Sequence, residues 1–250
     1  MSKKMDNRSQ IVETPRNVCP ACRRPAATCL CGLIRPFFIP VPFVILIHPR
    51  EAREHKTGTG RLTHLCLENS RILTGVDFTA DPEINRLLAD PSFAPVVLFP
   101  SRNPVPLDDA YFTDLRNSGK TPLIFVMDGT WIGTRKMLKL SRNLDSLPRV
   151  CLIPKDPSRF AVKHQPHPWC LSTIEAVHGL IDLFDRRRLV ETGGRHRVLL
   201  DVLQGLVEKQ ARFASDKEGR GYRKRAAKPP AERSVSLKNR RRIPFPDENH

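Results

Sequence analysis

Three short runs of the chain, Pro42-Phe-Val-Ile-Leu-Ile47, Pro95-Val-Val-Leu-Phe99 and Pro122-Leu-Ile-Phe-Val-Met127, are apolar without alternation. A strand with one face in water alternates with period two, so an unbroken run reads as a strand covered on both faces. Helical spacing fills the intervals. Arg61 to Leu73 carries Leu62, Leu65, Leu67 and Ile72 after the Thr57-Gly58-Thr59-Gly60 turn, Leu107 to Arg116 reads as a helix, and Ile132, Met137, Leu138 and Leu140 keep a rough helical period. Arg149 to Ile153 reads as one more strand. Two amphipathic helices follow, Ser172 to Arg188 with Ile174, Val177, Leu180, Ile181 and Phe184 inward, and Arg195 to Phe213 with Val198, Leu199, Val202, Leu203 and Leu206. Strands alternating with helices define an α/β fold with a mostly parallel sheet and helices on both faces.

Each apolar run ends in polar residues: His48-Pro49-Arg50-Glu51, Pro100-Ser101, and Asp128-Gly129-Thr130-Trp131. In open α/β sheets the crevice at the carboxyl ends of the strands holds the ligand, and rigid backbone aims the side chains there. Asp128, Thr130 and Trp131 are therefore the first candidates for chemistry. A purely structural reading stands beside this one. Asp-Gly after a strand is often only a turn, Thr caps helices, and Trp packs cores. In Leu171-Ser172-Thr173-Ile174-Glu175, Ser-x-x-Glu ahead of an apolar helix is a capping box, which leaves other first-turn N–H groups for a carboxylate. His48 equally suits a satisfied histidine at a strand end, and Arg61 a solvated helix residue.

Charge narrows the partner. Lys and Arg number 42 against 26 acidic residues, a formal +16 over 250 residues, which argues for a polyanion such as nucleic acid. A hydrophobic content of 40% supports a globular core and excludes disorder throughout. Residues 1–17 read as a flexible polar lead. Residues 215–250 read as a disordered basic tail, since beyond Ser215 eleven Lys or Arg face five Asp or Glu. The first twenty residues lack a secretory signal, and the run Phe37 to Ile47, broken by Pro40 and Pro42, is too short to span a bilayer. The expectation is a soluble cytoplasmic protein with no membrane association and no obligatory protein partner.

In such a compartment the seven cysteines stay reduced, and four of them cluster. Cys19, Cys22, Cys29 and Cys31 follow C-x2-C-x6-C-x-C, a spacing suited to one tetrahedral Zn²⁺. With four protein ligands that ion is structural, and free thiols are the alternative. The knuckle, residues 18–35, carries basic residues between its ligands that suit RNA contact. Cys66, Cys151 and Cys170 lie apart in apolar stretches, as packed small hydrophobes do. Phosphate-loop, nucleophile-elbow, zincin and dinucleotide signatures are all absent from the sequence.

Taken together, the four-cysteine knuckle, His48-Pro49-Arg50-Glu51, Thr59-Gly60-Arg61-Leu62, Leu98-Phe99-Pro100-Ser101, Asp128-x-Thr130-Trp131 and Leu171-Ser172-Thr173-Ile174-Glu175-Ala176 resemble the DTW-domain family, the tRNA-uridine aminocarboxypropyltransferases. The likeness runs from about Cys19 to about Phe213 and departs from the family pattern at Gly58, where a polar residue is expected. It implies that residues 36–214 form a SPOUT-like catalytic domain with a C-terminal knot. It also implies that S-adenosylmethionine donates its 3-amino-3-carboxypropyl group to N3 of a tRNA uridine. On this reading Asp128 takes the N3 proton, and desolvation beside Trp131 would have to strengthen an otherwise feeble base. The cofactor would be held by Pro100, Ser101, Gly129, Thr130, Trp131, Leu171, Ser172, Thr173 and Glu175. His48, Arg50, Arg61, Arg135, Lys136 and the tail would meet RNA. A methyltransferase acting on RNA and a non-enzymatic zinc-knuckle RNA binder remain the alternatives.

Overall fold

The computed structural model describes residues 17–53, 58–154, 156–160 and 170–215. The expected lead at 1–17 and tail at 215–250 lie outside them, apart from Asn17 and Ser215, as does Thr57 of the glycine-bearing turn.

Five strands, β1 (Phe43–Ile47), β2 (Ser70–Thr74), β3 (Phe93–Leu98), β4 (Thr121–Asp128) and β5 (Arg149–Val150), form one parallel sheet in the order β2-β1-β4-β3-β5. The helices are α1 (Pro49–Arg53), α2 (Gly60–Cys66), α3 (Pro82–Ala89), α4 (Asp109–Ser118), α5 (Trp131–Leu140), α6 (Arg142–Asp145), α7 (Thr173–Arg186) and α8 (Val198–Ser215). Successive strand residues point to opposite faces. Phe43, Ile45 and Ile47 of β1 and Ile124 and Val126 of β4 therefore enter one core with α2, α4, α7 and α8. Val44 and Leu46, with Leu123, Phe125 and Met127, enter a second core with α3, α5 and α6. The unbroken apolar runs have this cause, and the parallel sheet with helices on both faces is as expected. Among the described residues, no helix is long and apolar enough to cross a membrane.

Local departures from expectation have local causes. The helical period at Arg61 to Leu73 breaks at Cys66, where the Phe37 N–H donates to the Cys66 carbonyl at 3.0 Å and the Glu68 N–H to that of Phe37 at 3.1 Å. Ile72 belongs instead to β2, opposite Ile45 of β1. Two apolar residues in sequence fit either period, and the free edge of β1 decides between them. The polar residues after Ile47 close one helical turn as α1, and the strand expected at Arg149 to Ile153 is only Arg149–Val150 at the sheet edge. Helix α3 was not evident in the pattern. Its signal was Asp81, whose carboxylate accepts the Glu83 and Ile84 N–H groups at 3.0 Å ahead of Pro82 in the first turn.

The knuckle shares the main core. Cys22 and Leu30 are buried in the same cluster as α7 and α8. A Cβ on Gly205 of α8 would lie 2.3 Å from Leu33 Cδ1, so the knuckle and that helix touch closely. Lys209 Nζ of α8 donates to the Cys29 carbonyl. Leu30, 1% exposed, is thus part of the common core. Leu30→Ala should cost about 2–5 kcal/mol and lower the single cooperative transition followed by far-ultraviolet circular dichroism. A main transition left in place would mean that the knuckle folds independently.

Candidate active site at the carboxyl edge of the sheet

In the β1–β4 register Ile47 lies opposite Asp128, and the His48 N–H donates to the Asp128 carbonyl at 3.0 Å. Asp128 points, with Ile124 and Val126, toward α2 and α7 and is only 6% exposed. A buried carboxylate needs donors. Thr173 Oγ1, at the first position of α7, donates to Asp128 Oδ1 at 2.5 Å. Gly60, the first residue of α2, closes the other side: a Cβ there would stand 2.6 Å from Asp128 Cγ and 2.7 Å from Oδ2. Only glycine permits that approach. Three elements distant in sequence therefore converge on one carboxylate.

A second group lies across the β4 turn. A Cβ on Gly129 would meet His48 Cβ at 3.2 Å, and one on Gly133 would meet His48 Cδ2 at 3.4 Å, so the imidazole lies against the backbone at the start of α5. His48 Nδ1 accepts the Arg50 N–H at 3.2 Å. Thr130 caps α5, its Oγ1 accepting the Gly133 N–H at 3.1 Å. The Trp131 ring lies 5.8 Å from that of Phe99, tilted by 49°, among the residues of the second core. Trp131 thus braces the turn from the sheet face opposite to the one Asp128 uses. After β3 come Pro100 and Ser101, whose Oγ accepts the Asn103 N–H at 3.3 Å. Cys151 adjoins them: burial pushes its thiol up while the Ser101 N–H pulls it down. Cys66 and Cys170 are fully buried, as small apolar residues are.

Glu175, 7% exposed, does more than cap. Its Oε2 accepts the Ser172 N–H at 2.8 Å and the hydroxyls of Ser172 and Ser158 at 2.5 and 2.7 Å; Oε1 accepts the Arg159 N–H at 2.7 Å. One carboxylate thereby fixes residues 158–160 to the start of α7, beside Thr173 and Asp128. The capping box was legible in Ser-x-x-Glu, but Ser158 and Arg159 were missed, because nothing local marks a loop that binds a helix start so far along the chain. Leu171 is half-buried at the same entry.

Of the cations expected to meet RNA, Arg50, Arg135 and Lys136 are exposed, whereas His48 is half-buried in the wall of the site. Arg61 follows Gly60; burial and the neighbouring Arg23 hold its guanidinium below its usual value, and Cys22 acts the other way. The sulfurs of Cys19, Cys22, Cys29 and Cys31 all lie within 4.8 Å of one another, with Cys19–Cys31 at 3.6 Å and Cys22–Cys29 at 3.7 Å. Metal–sulfur bonds of about 2.3 Å in a tetrahedron give sulfur–sulfur edges of about 3.8 Å, so the four fit one ion. Burial holds the Arg24 guanidinium below its usual value, with Cys22 and Cys29 acting the other way. Far from all of these, a shallow cleft of about 220 Å³ lies at the amino ends of the strands, between Pro42, Arg71, Leu87 and Thr121.

Residues 16–211 match the model of the DTW domain. Relatives include tRNA-uridine aminocarboxypropyltransferase 2 of Drosophila melanogaster, 29% identical over 179 residues, 69% of this chain and 68% of the relative. tRNA-uridine aminocarboxypropyltransferase A of Arabidopsis thaliana is 28% identical over 224 residues, 79% of this chain and 82% of the relative. tRNA-uridine aminocarboxypropyltransferase 2 of Mus musculus is 26% identical over 205 residues, 78% and 64%. No solved structure matches the chain. With its buried aspartate, its helix-start hydroxyl and a domain match spanning most of its length, the chain belongs to the DTW-domain family.

Proposed function

We propose that the chain is a tRNA-uridine aminocarboxypropyltransferase, carried by one observation: a buried aspartate at the carboxyl end of the central strand, positioned by Gly60 and Thr173, in a chain of this family. S-adenosylmethionine supplies an electrophilic γ-carbon. The N3–Cγ bond forms, the Cγ–sulfonium bond breaks with its electron pair passing to sulfur as methylthioadenosine, and the N3 proton goes to Asp128. Thr173 holds that carboxylate in one orientation while Gly60 keeps water from its other side. Both matter because three carbons around the sulfonium can react, and the outcome depends on which one is held in line.

The first turn of α7 offers N–H donors to the amino-acid end of the co-substrate. With Glu175 Oε2 already taking three donors, that residue serves by holding the loop rather than by direct contact. Pro100, Ser101, Gly129 and Leu171 would line the same pocket, with Thr130 and Trp131 shaping its edge. His48, Arg50, Arg61, Arg135 and Lys136 would face the tRNA. A SPOUT-like knot belongs to the same proposal: the chain leaves β5 at the sheet edge and re-enters at Ser172 beside β4. The connection passes through residues 155 and 161–169, which lie outside the described ones. The four cysteines would hold a structural Zn²⁺ in a reducing compartment such as the cytoplasm.

Incubation with unmodified tRNA and S-adenosylmethionine, followed by nucleoside mass spectrometry, should yield aminocarboxypropyl-uridine and methylthioadenosine. S-adenosylhomocysteine as the by-product would overturn the assignment in favour of methyl transfer. Asp128→Asn should keep tRNA and co-substrate binding while lowering single-turnover transfer by about 10²- to 10⁴-fold, the range for a lost general base. Near-normal turnover would remove Asp128 from the reaction. Gly60→Ala should lower kcat with little change in KM for tRNA, because the new methyl displaces the carboxylate. Metal analysis should find one zinc per chain, lost in Cys31→Ser together with several degrees of melting temperature.

A further inference from the structure

The loop that Glu175 pins presents an exposed arginine, Arg159, through its backbone: the N–H is bound and the side chain is left to solvent. One helical turn after Glu175, on the same face of α7, stands His178. Its ring lies 5.1 Å from that of buried His196, and exposed Arg197 follows His196 in the chain. Burial, followed by the charges of His196, Arg159 and Arg197, holds the His178 imidazole down at about 4, with Asp182 opposing them. Glu175 thus ties the Arg159 backbone to the turn of α7 before His178, and the ring contact of His178 with His196 brings Arg197, the next residue, beside the same helix.

The acids of this region are engaged elsewhere. Asp182 pairs with Arg186 at 3.0 Å and faces His196 Nε2 at 3.4 Å, and the Asp185 carboxylate accepts the Thr192 N–H at 2.9 Å. His196 Nδ1 is held by the Thr192 hydroxyl at 2.7 Å. Among the described residues neither Arg159 nor Arg197 forms an ion pair, unlike Arg71, Arg149, Arg186 and Arg187. Arginines without an ion pair, beside a helix whose acids are already engaged, suit an external polyanion.

We propose that Arg159 and Arg197, flanking His178, form a phosphate-binding site that seats the tRNA backbone beside the start of α7. The proposal rests on the tRNA reading above and deepens it. Glu175 links the two places, since the carboxylate that holds Arg159 also holds Ser172, the neighbour of the residue bound to Asp128. Phosphate contacts fix register and orientation without reading sequence, so this site would set where along the backbone the target uridine meets Asp128.

The test uses the full chain with Arg159→Gln, Arg197→Gln and the double variant, and Arg71→Gln as a control on the far edge strand. Gln keeps the Arg159 N–H that Glu175 needs, and matching thermal melts establish folding. Binding of unmodified tRNA is measured across a series of KCl concentrations. The slope of log affinity against log salt should shrink by about one per arginine removed, and affinity near physiological salt should fall about tenfold in the double variant. Arg71→Gln should match wild type, and calorimetric binding of S-adenosylmethionine should stay unchanged in all. Unchanged slope and affinity in the double variant overturn the site, as does lost co-substrate affinity at an unchanged slope. A wild-type chain that binds tRNA but makes no modified uridine defeats the enzymatic reading, while the slopes still decide this site.

Discussion

The in-register pairing of β1 with β4 at the centre of the sheet is the constraint on which the rest depends. It sets Ile47 beside Asp128, so both central strands end at the same level and the next residues, His48 and Gly129, emerge against each other. A parallel sheet must be covered on both faces, which is why these strands stay apolar as far as Ile47 and Met127 and why polar groups gather at the edge. A slip of one residue would turn Asp128 to the face where Met127 and Phe125 now point, among the apolar side chains of the second core, where burying a carboxylate is costly.

Two carboxylates are buried near this edge, and their surroundings differ in kind. Glu175 takes four hydrogen bonds from a loop and a helix start, a saturated structural anchor. Asp128 takes the Thr173 hydroxyl on one side and meets the Cα of Gly60 on the other, so two elements distant in sequence set its orientation.

Much of this was legible in the sequence. Unbroken apolar runs announced the buried strands, Ser-x-x-Glu the start of α7, and the cysteine spacing a cluster whose sulfurs do lie together. The helix expected through Leu73 was cut short because pairing with an open strand edge overrides a weak helical period. The approach of Gly60 to Asp128 and the hold of Glu175 on Ser158 and Arg159 were not legible. Both join residues far apart in sequence through a single atom-to-atom contact, and no periodicity encodes that. Trp131, a candidate wall for the co-substrate, lies against Phe99 on the opposite sheet face, which a strand-end position alone did not reveal.

The Glu175 anchor also bears on how such a chain can vary. Ser158, Ser172 and Glu175 satisfy one another, so an exchange at any one strands a buried charge or hydroxyl at the others. These three positions form a set in which the effect of each substitution depends on the other two. Divergence at this loop should therefore proceed by joint replacement, and a library that varies one position at a time would record as intolerant a region that is only interdependent.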